Sequence, residues 1–368
     1  MKLGLDIDAI GRISDVLVAI DSDFPSQDFI KDALTGLDDL ELKQRVDHLI
    51  AILAKYLPTD FAQAAAILLQ VKQYWDWGDD NDALSSFAAW PLTDYVAVYG
   101  INQPEIALTV LPEVTALFTA EFAIRPFIEQ HFDLTYRQLL VWSQNDDEHI
   151  RRLASEGIRP RLPWGKRLSQ LCDDPDVIFP LLDQLKDDTS LYVRKSVANN
   201  LNDIAKDHPN KVIEKCQQWM IDAPVERQWL IRHALRGLIK AGNAKVFPLL
   251  GYTQVPQLKV MGFDLAETSI TLGQSLALSL TLLSQSSEVQ TLVVDYKIHH
   301  VKANGTTSGK VFKWKNITLL PQQSLSLEKQ HSFKKIRTRK YYSGVHGIEL
   351  LINGVPRFQA EFHLMMED

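Results

Sequence analysis

The segments His149-Ile150-Arg151-Arg152-Leu153-Ala154, Tyr192-Val193-Arg194-Lys195-Ser196-Val197 and Leu230-Ile231-Arg232-His233-Ala234-Leu235 share an aliphatic–Arg pair. The arginines Arg151, Arg194 and Arg232 follow one another at 43 and then 38 residues. A period near 40 constrains the fold strongly, because a unit this short buries its apolar face only by stacking on its neighbours. It predicts a HEAT-like solenoid of helix pairs, with the repeated arginine tying one repeat to the next. Upstream, Leu42, Val46, Leu49, Ile50 and Leu53 fall on one helical face, and Pro58, Pro91, Gly100 and Pro104 punctuate such segments. Residues 1–252 are therefore read as one all-α domain.

After Tyr252 the period changes. Ser275-Leu276-Ala277-Leu278-Ser279-Leu280-Thr281-Leu282 alternates apolar and small residues, as a strand with one buried face should. Leu292 to Val301, Val311 to Ile317 and Ser324 to Leu327 are further short strand candidates. Asn353-Gly354, between Ile348–Ile352 and Arg357–Phe362, is a strong hairpin signal. Six or seven strands over residues 253–368 predict an all-β immunoglobulin-like sandwich. The two cysteines, Cys172 and Cys216, lie outside it, so it must hold together without an inter-sheet disulfide.

Two cysteines also exclude a disulfide scaffold and a cysteine metal site. The 10 histidines show no metal-ligand spacing, His299-His300 included, so neither metal nor cofactor is expected. Asp6 and Asp8 stand where a signal peptide needs its apolar region, and no apolar run approaches the roughly 18 residues that span a bilayer. A soluble, cytoplasmic, monomeric protein is the expectation.

The net charge of −7 excludes a polycationic protein, but its distribution leaves a polyanion partner open. The first 120 residues carry 7 basic and 19 acidic side chains, whereas residues 121–252 carry 19 and 18. Between His149 and Arg167 lie six basic residues and one acid, Glu156. Asp146, Asp147 and Glu148 suit a helix N-terminus, and the helix should end near Gly157. Pro160 and Pro163 then force a stiff, extended exit that presents Arg159, Arg161 and Trp164. On the helix, Arg152, Ser155 and Glu156 share a face. Arginines with a hydroxyl suit phosphate oxygens, and a carboxylate among them does not. In an ordinary surface helix Glu156 would simply pair with Arg152.

The stretch Arg151-Arg152-Leu153-Ala154-Ser155-Glu156-Gly157-Ile158-Arg159-Pro160-Arg161-Leu162-Pro163-Trp164 resembles the signature of the AlkC family of bacterial DNA alkylation-repair glycosylases. Leu117-Phe118-Thr119-Ala120-Glu121-Phe122-Ala123-Ile124-Arg125-Pro126-Phe127 is similar to it as well. Shorter likenesses lie at Glu41–Val46 and Val193–Asp203. The resemblance implies hydrolysis of the N-glycosidic bond of small alkylated bases, chiefly N3-methyladenine, in duplex DNA. It implies Glu121, Glu156, Trp164 and Asp203 as active-site residues, and a lesion exposed without base flipping. These side chains make chemical sense for that reaction. The leaving base and the developing oxocarbenium are both cationic, so carboxylates stabilise them and orient water. An indole such as Trp164 holds a cation by its face.

DNA contacts are expected from Arg152, Ser155, Arg159, Arg161, Lys166 and Arg167. In the C-terminal domain Lys335, Arg337 and Arg339 alternate and are read as one strand face for phosphates. Lys313 and Lys315 follow the same pattern opposite Phe312 and Trp314, and lysines there also fit protection of an edge strand. The competing expectation is a non-enzymatic HEAT adaptor or a DNA-damage-binding scaffold. Such an adaptor has no use for a proline-stiffened basic loop around a lone Glu.

Overall fold

In the computed structural model, which describes residues 4–78, 82 and 84–366, helices occupy the chain up to Leu249 and strands run from Leu258 to Met365. The expected HEAT-like helical array followed by a β-sandwich is thus the observed architecture. By backbone contact the chain divides into two compact units, Met1–His208 with Ala223–Ala234, and Pro209–Asp222 with Leu235–Asp368.

In the first unit, local sequence signals explain the helices. The helix Leu42–Tyr56 opens with a capping box in which the Gln44 side chain accepts from the Glu41 backbone N–H at 2.9 Å. Val46, Leu49, Ile50 and Leu53 are buried along it, while Leu42 is only half-buried. Asp147 caps the helix Glu148–Gly157, accepting from the His149 N–H at 2.8 Å. Gly157 is its last residue, and a Cβ there would come within 2.5 Å of the Ile124 side chain, so glycine is needed for this close packing.

The repeat is visible in the packing. Helices Glu148–Gly157, Leu191–Ile204 and Val225–Ala234 lie side by side in that order. Arg151 donates to the carbonyls six and five residues before it, Asn145 at 2.9 Å and Asp146 at 2.8 Å. Arg194 does the same at Asp188 and Thr189, at 2.5 and 2.8 Å. Arg151 also grips the Asp188 carboxylate at 2.6 and 3.0 Å, and so joins its repeat to the next.

In the second unit, the strands are β1 (Leu258–Leu265), β2 (Ser269–Thr271), β3 (Ser275–Ser284) and β4 (Gln290–Val301). β5 (Thr307–Leu319), β6 (Ser324–Ser332), β7 (Gly344–Ile352) and β8 (Val355–Met365) follow. They form a three-stranded sheet, β1-β3-β6, and a five-stranded sheet, β2-β8-β7-β4-β5. Leu278, Leu280, Leu282, Tyr296, Trp314, Phe333 and Phe362 fill the core. Asn353 and Gly354 turn the β7–β8 hairpin with φ of 47° and 73°, as a type I′ turn requires.

Two strands escaped the sequence pattern. A register shift between Val260 and Gly262 breaks the alternation of β1, and β2 is three residues long. A further expectation is corrected. Lys335, Arg337 and Arg339 do not share a strand face, because β6 ends at Ser332 and the chain turns back through an isolated Ile336–Arg339 bridge. The cause is aromatic packing: Phe333 and Tyr341 meet at 5.7 Å and both lie against His300, which folds the basic segment back between them. Lys335 and Arg337 are exposed, and Arg339 is half-buried over the Tyr341 ring. Lys313 and Lys315 do point outward from β5, an edge strand.

Candidate active site

Three sequence-distant acids of the first unit are held in one buried row by arginines. Glu121, in the turn before the helix Arg125–Gln130, meets Arg152 Nη1 at 2.6 Å. Arg152 reaches Glu156 on its own helix at 3.4 Å. Arg159 Nη1 lies 2.5 Å from the same Glu156 oxygen, and its Nε and Nη2 both stand 2.7 Å from Asp203 on the next repeat's helix. Lys206 closes the row on the other Asp203 oxygen at 2.8 Å. The order is acid, base, acid, base, acid, base, and Glu121, Glu156, Arg159 and Asp203 are all buried.

Neighbouring polar groups fix the acids further. Thr119 donates to Glu121 at 3.0 Å and also receives Arg152. Ser196 donates to the second Glu156 oxygen at 2.6 Å. Burial pushes the Glu121 carboxyl above its ordinary range against the pull of Arg152, and Glu156 adds to the rise. Burial works against the charge of Arg152 and Arg159, but the acids beside them win and hold both guanidinium groups above the usual arginine value. Arg152 also lies 5.1 Å from the Tyr192 ring.

Ser155 and Arg159 stand apart from the expected phosphate contacts. The Ser155 hydroxyl is fully buried, 2.5 Å from Ser196, and the Arg159 guanidinium is spent between two carboxylates. Arg161 forms a two-pronged exposed pair with Asp207, at 2.7 Å on each side. Lys166 pairs with Glu129 at 2.6 Å, and Arg167 donates to the Cys172 sulfur at 3.2 Å. Trp164 is 74% exposed at the loop tip with a φ of 62°, a left-handed backbone that disfavours a large side chain. It lines a neighbouring cavity rather than the row of acids.

One residue was missed as a site-builder. Arg125, four residues from both Glu121 and Glu129, is 1% exposed and bonds to neither. Its Nη1 donates to the carbonyls of Gly157 and Arg159 at 2.9 Å each, and its Nε to that of Lys166 at 2.6 Å. A single guanidinium therefore gathers both ends of the loop that carries Arg159 and Trp164. No local signal announces this, since the partners lie 32 to 41 residues away.

A solved structure described as Pseudomonas fluorescens alkylpurine DNA glycosylase AlkC bound to DNA containing an abasic site analog is 37% identical to this chain. The two superpose with a TM-score of 0.92, covering 99% of each chain. The chain belongs to the AlkC family. It is also 36% identical over 326 residues to the uncharacterized protein YhaZ of Bacillus subtilis (strain 168), covering 89% of this chain and 88% of that one. Residues 259–366 match the family described as "Uncharacterised protein YhaZ, C-terminal Ig-like domain". Like the AlkC structure, the chain carries its immunoglobulin-like domain after its helical array. Among the described residues no helix of this AlkC-family member is long and apolar enough to cross a membrane.

Proposed function

We propose that this protein is a monofunctional DNA glycosylase that hydrolyses the N-glycosidic bond of cationic alkylated bases, chiefly N3-methyladenine, in duplex DNA. The observation that carries the reading is the buried row in which Glu121, Glu156 and Asp203 surround planar cations. Guanidinium groups fill those places in the free chain. The same carboxylate cradle suits the two cations of the reaction, the N3-alkylated base and the sugar oxocarbenium.

As the C1′–N bond breaks, its electron pair neutralises the departing base, so no acid is needed to protonate it. Water attacks C1′, forms the new C–O bond, and gives up a proton to a carboxylate. Exchange of Arg159 for the sugar cation would leave Glu156 and Asp203 on either side of the anomeric carbon. Ser196 and Lys206 keep those two acids in place while that exchange happens. In this reading Trp164 offers its exposed indole face to the base or the deoxyribose.

Arg152, Arg161, Lys166 and Arg167 are assigned to DNA phosphates, each bridging at present to an internal acid or sulfur that a phosphate can displace. Lys335, Arg337 and Arg339, on the C-terminal domain taken to begin at residue 253, are likewise assigned to DNA phosphates. The course taken for the reaction, as the family resemblance implies, is attack on a lesion that stays within a bent duplex, without base flipping. The test is release of N3-methyladenine from methylated duplex DNA by the purified chain. The reading is refuted by absent release under conditions where another glycosylase acts.

A further inference from the structure

A cavity of about 490 Å³ opens beside the catalytic loop, within the first unit. Its walls come from the helices Leu42–Tyr56 and Trp90–Tyr99, the turn at Phe122 and the loop at Trp164. Trp90 is a rigid aromatic floor, stacked on Phe118 at 5.0 Å and on Phe122 at 5.7 Å. Trp164 lines the same cavity as an exposed second ring.

The charged lining is two carboxylates, Asp47 and Asp94, and two ammonium groups, Lys43 and Lys166. Asp94 is 7% exposed and lines the cavity. One of its oxygens accepts from the Trp90 indole N–H at 2.9 Å and from Lys43 at 3.1 Å, while its other oxygen has no partner. Lys43 is shared with Asp47 at 3.6 Å, so two carboxylates face one ammonium. Lys166, at the rim, is engaged by Glu129. A buried carboxylate oxygen without a donor is costly, and rotation of the carboxyl offers it to an N–H donor seated in the cavity. Burial raises the Asp94 carboxyl above its ordinary range, against the pull of Lys43, as expected of a group short of donors.

Flat aromatic walls select a planar ring, and the unpartnered Asp94 oxygen selects an N–H donor. We propose that this cavity binds the free alkylated aminopurine that the reaction liberates, so that the protein retains its own base product. The proposal rests on the glycosylase reading above for the identity of that base. Arg125 links the two places physically, because the loop it gathers carries Arg159 into the row of acids and Trp164 into the cavity.

The experiment is calorimetric titration of the full chain with free N3-methyladenine, with adenine as comparison and base release from methylated DNA measured on the same preparation. N3-methyladenine should bind more tightly than adenine and inhibit turnover at the concentration where it binds. Asp94→Asn should weaken binding about tenfold or more. Val98→Trp, at a half-exposed cavity-lining position that tolerates bulk, should do the same by filling the space. The assignment is overturned if an active preparation shows no heat at roughly millimolar base. It is equally overturned if both variants bind the base as the parent does. Variant-sensitive binding without any base release sinks the glycosylase reading and leaves the cavity assignment standing.

Discussion

Replacing Arg125 by methionine removes the guanidinium that gathers the loop carrying Arg159 and Trp164, and its cost can be worked from the structure. Three hydrogen bonds from a charged donor to the carbonyls of Gly157, Arg159 and Lys166 are lost. At about 1.5–3 kcal/mol each they sum to roughly 5–9 kcal/mol. Against this, burial pushes the Arg125 guanidinium down to about 10. A depressed basic group disfavours folding at every pH below that value, here by about 3 kcal/mol, and methionine removes that penalty. The balance is a loss of about 2–6 kcal/mol, or roughly 5–20 °C in melting temperature. Arg125→Lys keeps the charge but not the planar fork, so it should recover part of the stability and little of the geometry. Thermal denaturation and single-turnover base release on all three proteins check this. The expected pattern is a fall in the chemical step for the lysine variant larger than its fall in DNA affinity. Arg125→Met melting within about 2 °C of the parent, with unchanged release, would refute the reasoning.

Further outcomes follow from the same coordinates. Glu156→Gln and Asp203→Asn should each slow single-turnover base release about a hundredfold or more while changing DNA affinity only a few-fold, as filter binding would show. Arg161→Ala should weaken DNA binding evenly across sequences and lower the salt slope by about one, read from affinity against salt concentration. Burial, with Arg339 adding to it, pushes His300 down to about 3 and His331 down to about 4. The unfolded chain binds these protons first, so the stability is fully present above pH 7 and drains away on acidification; denaturant melts should show a loss of roughly 5 kcal/mol by pH 4. An alanine at Gly354, where φ is 73° and a Cβ would meet the Gly242 backbone at 2.3 Å, should cost roughly 1–3 kcal/mol in the same melts.

Much of the architecture was readable because its causes are local. Asp147 opens its helix by capping, and Asn353-Gly354 fixes its turn by backbone sign. The repeated Arg151 and Arg194 bond to carbonyls five and six residues away, which a repeat necessarily copies. What escaped is set by distance in sequence. Arg159 read as a loop cation for phosphate, yet Asp203, 44 residues on, takes it inward. Arg125 carries no local mark of its role, since the three carbonyls that claim it lie 32 to 41 residues on. Lys335, Arg337 and Arg339 alternate like a strand, and the packing of Phe333 on Tyr341 overrides the alternation. Trp164 was expected among the acids; its left-handed backbone turns it to the cavity.

The alternating row from Glu121 to Lys206 has a mechanical consequence. Its members sit on successive segments of a stack whose units touch only their neighbours. Any bend of that stack lengthens or shortens the gaps between Glu121, Glu156 and Asp203 together. Curvature and the spacing of the acids are thus one variable, and the row works as a strain gauge built into the spine. A duplex that flexes the array changes both gaps in a single motion, and a rigid one that cannot flex it leaves the guanidinium groups where they are.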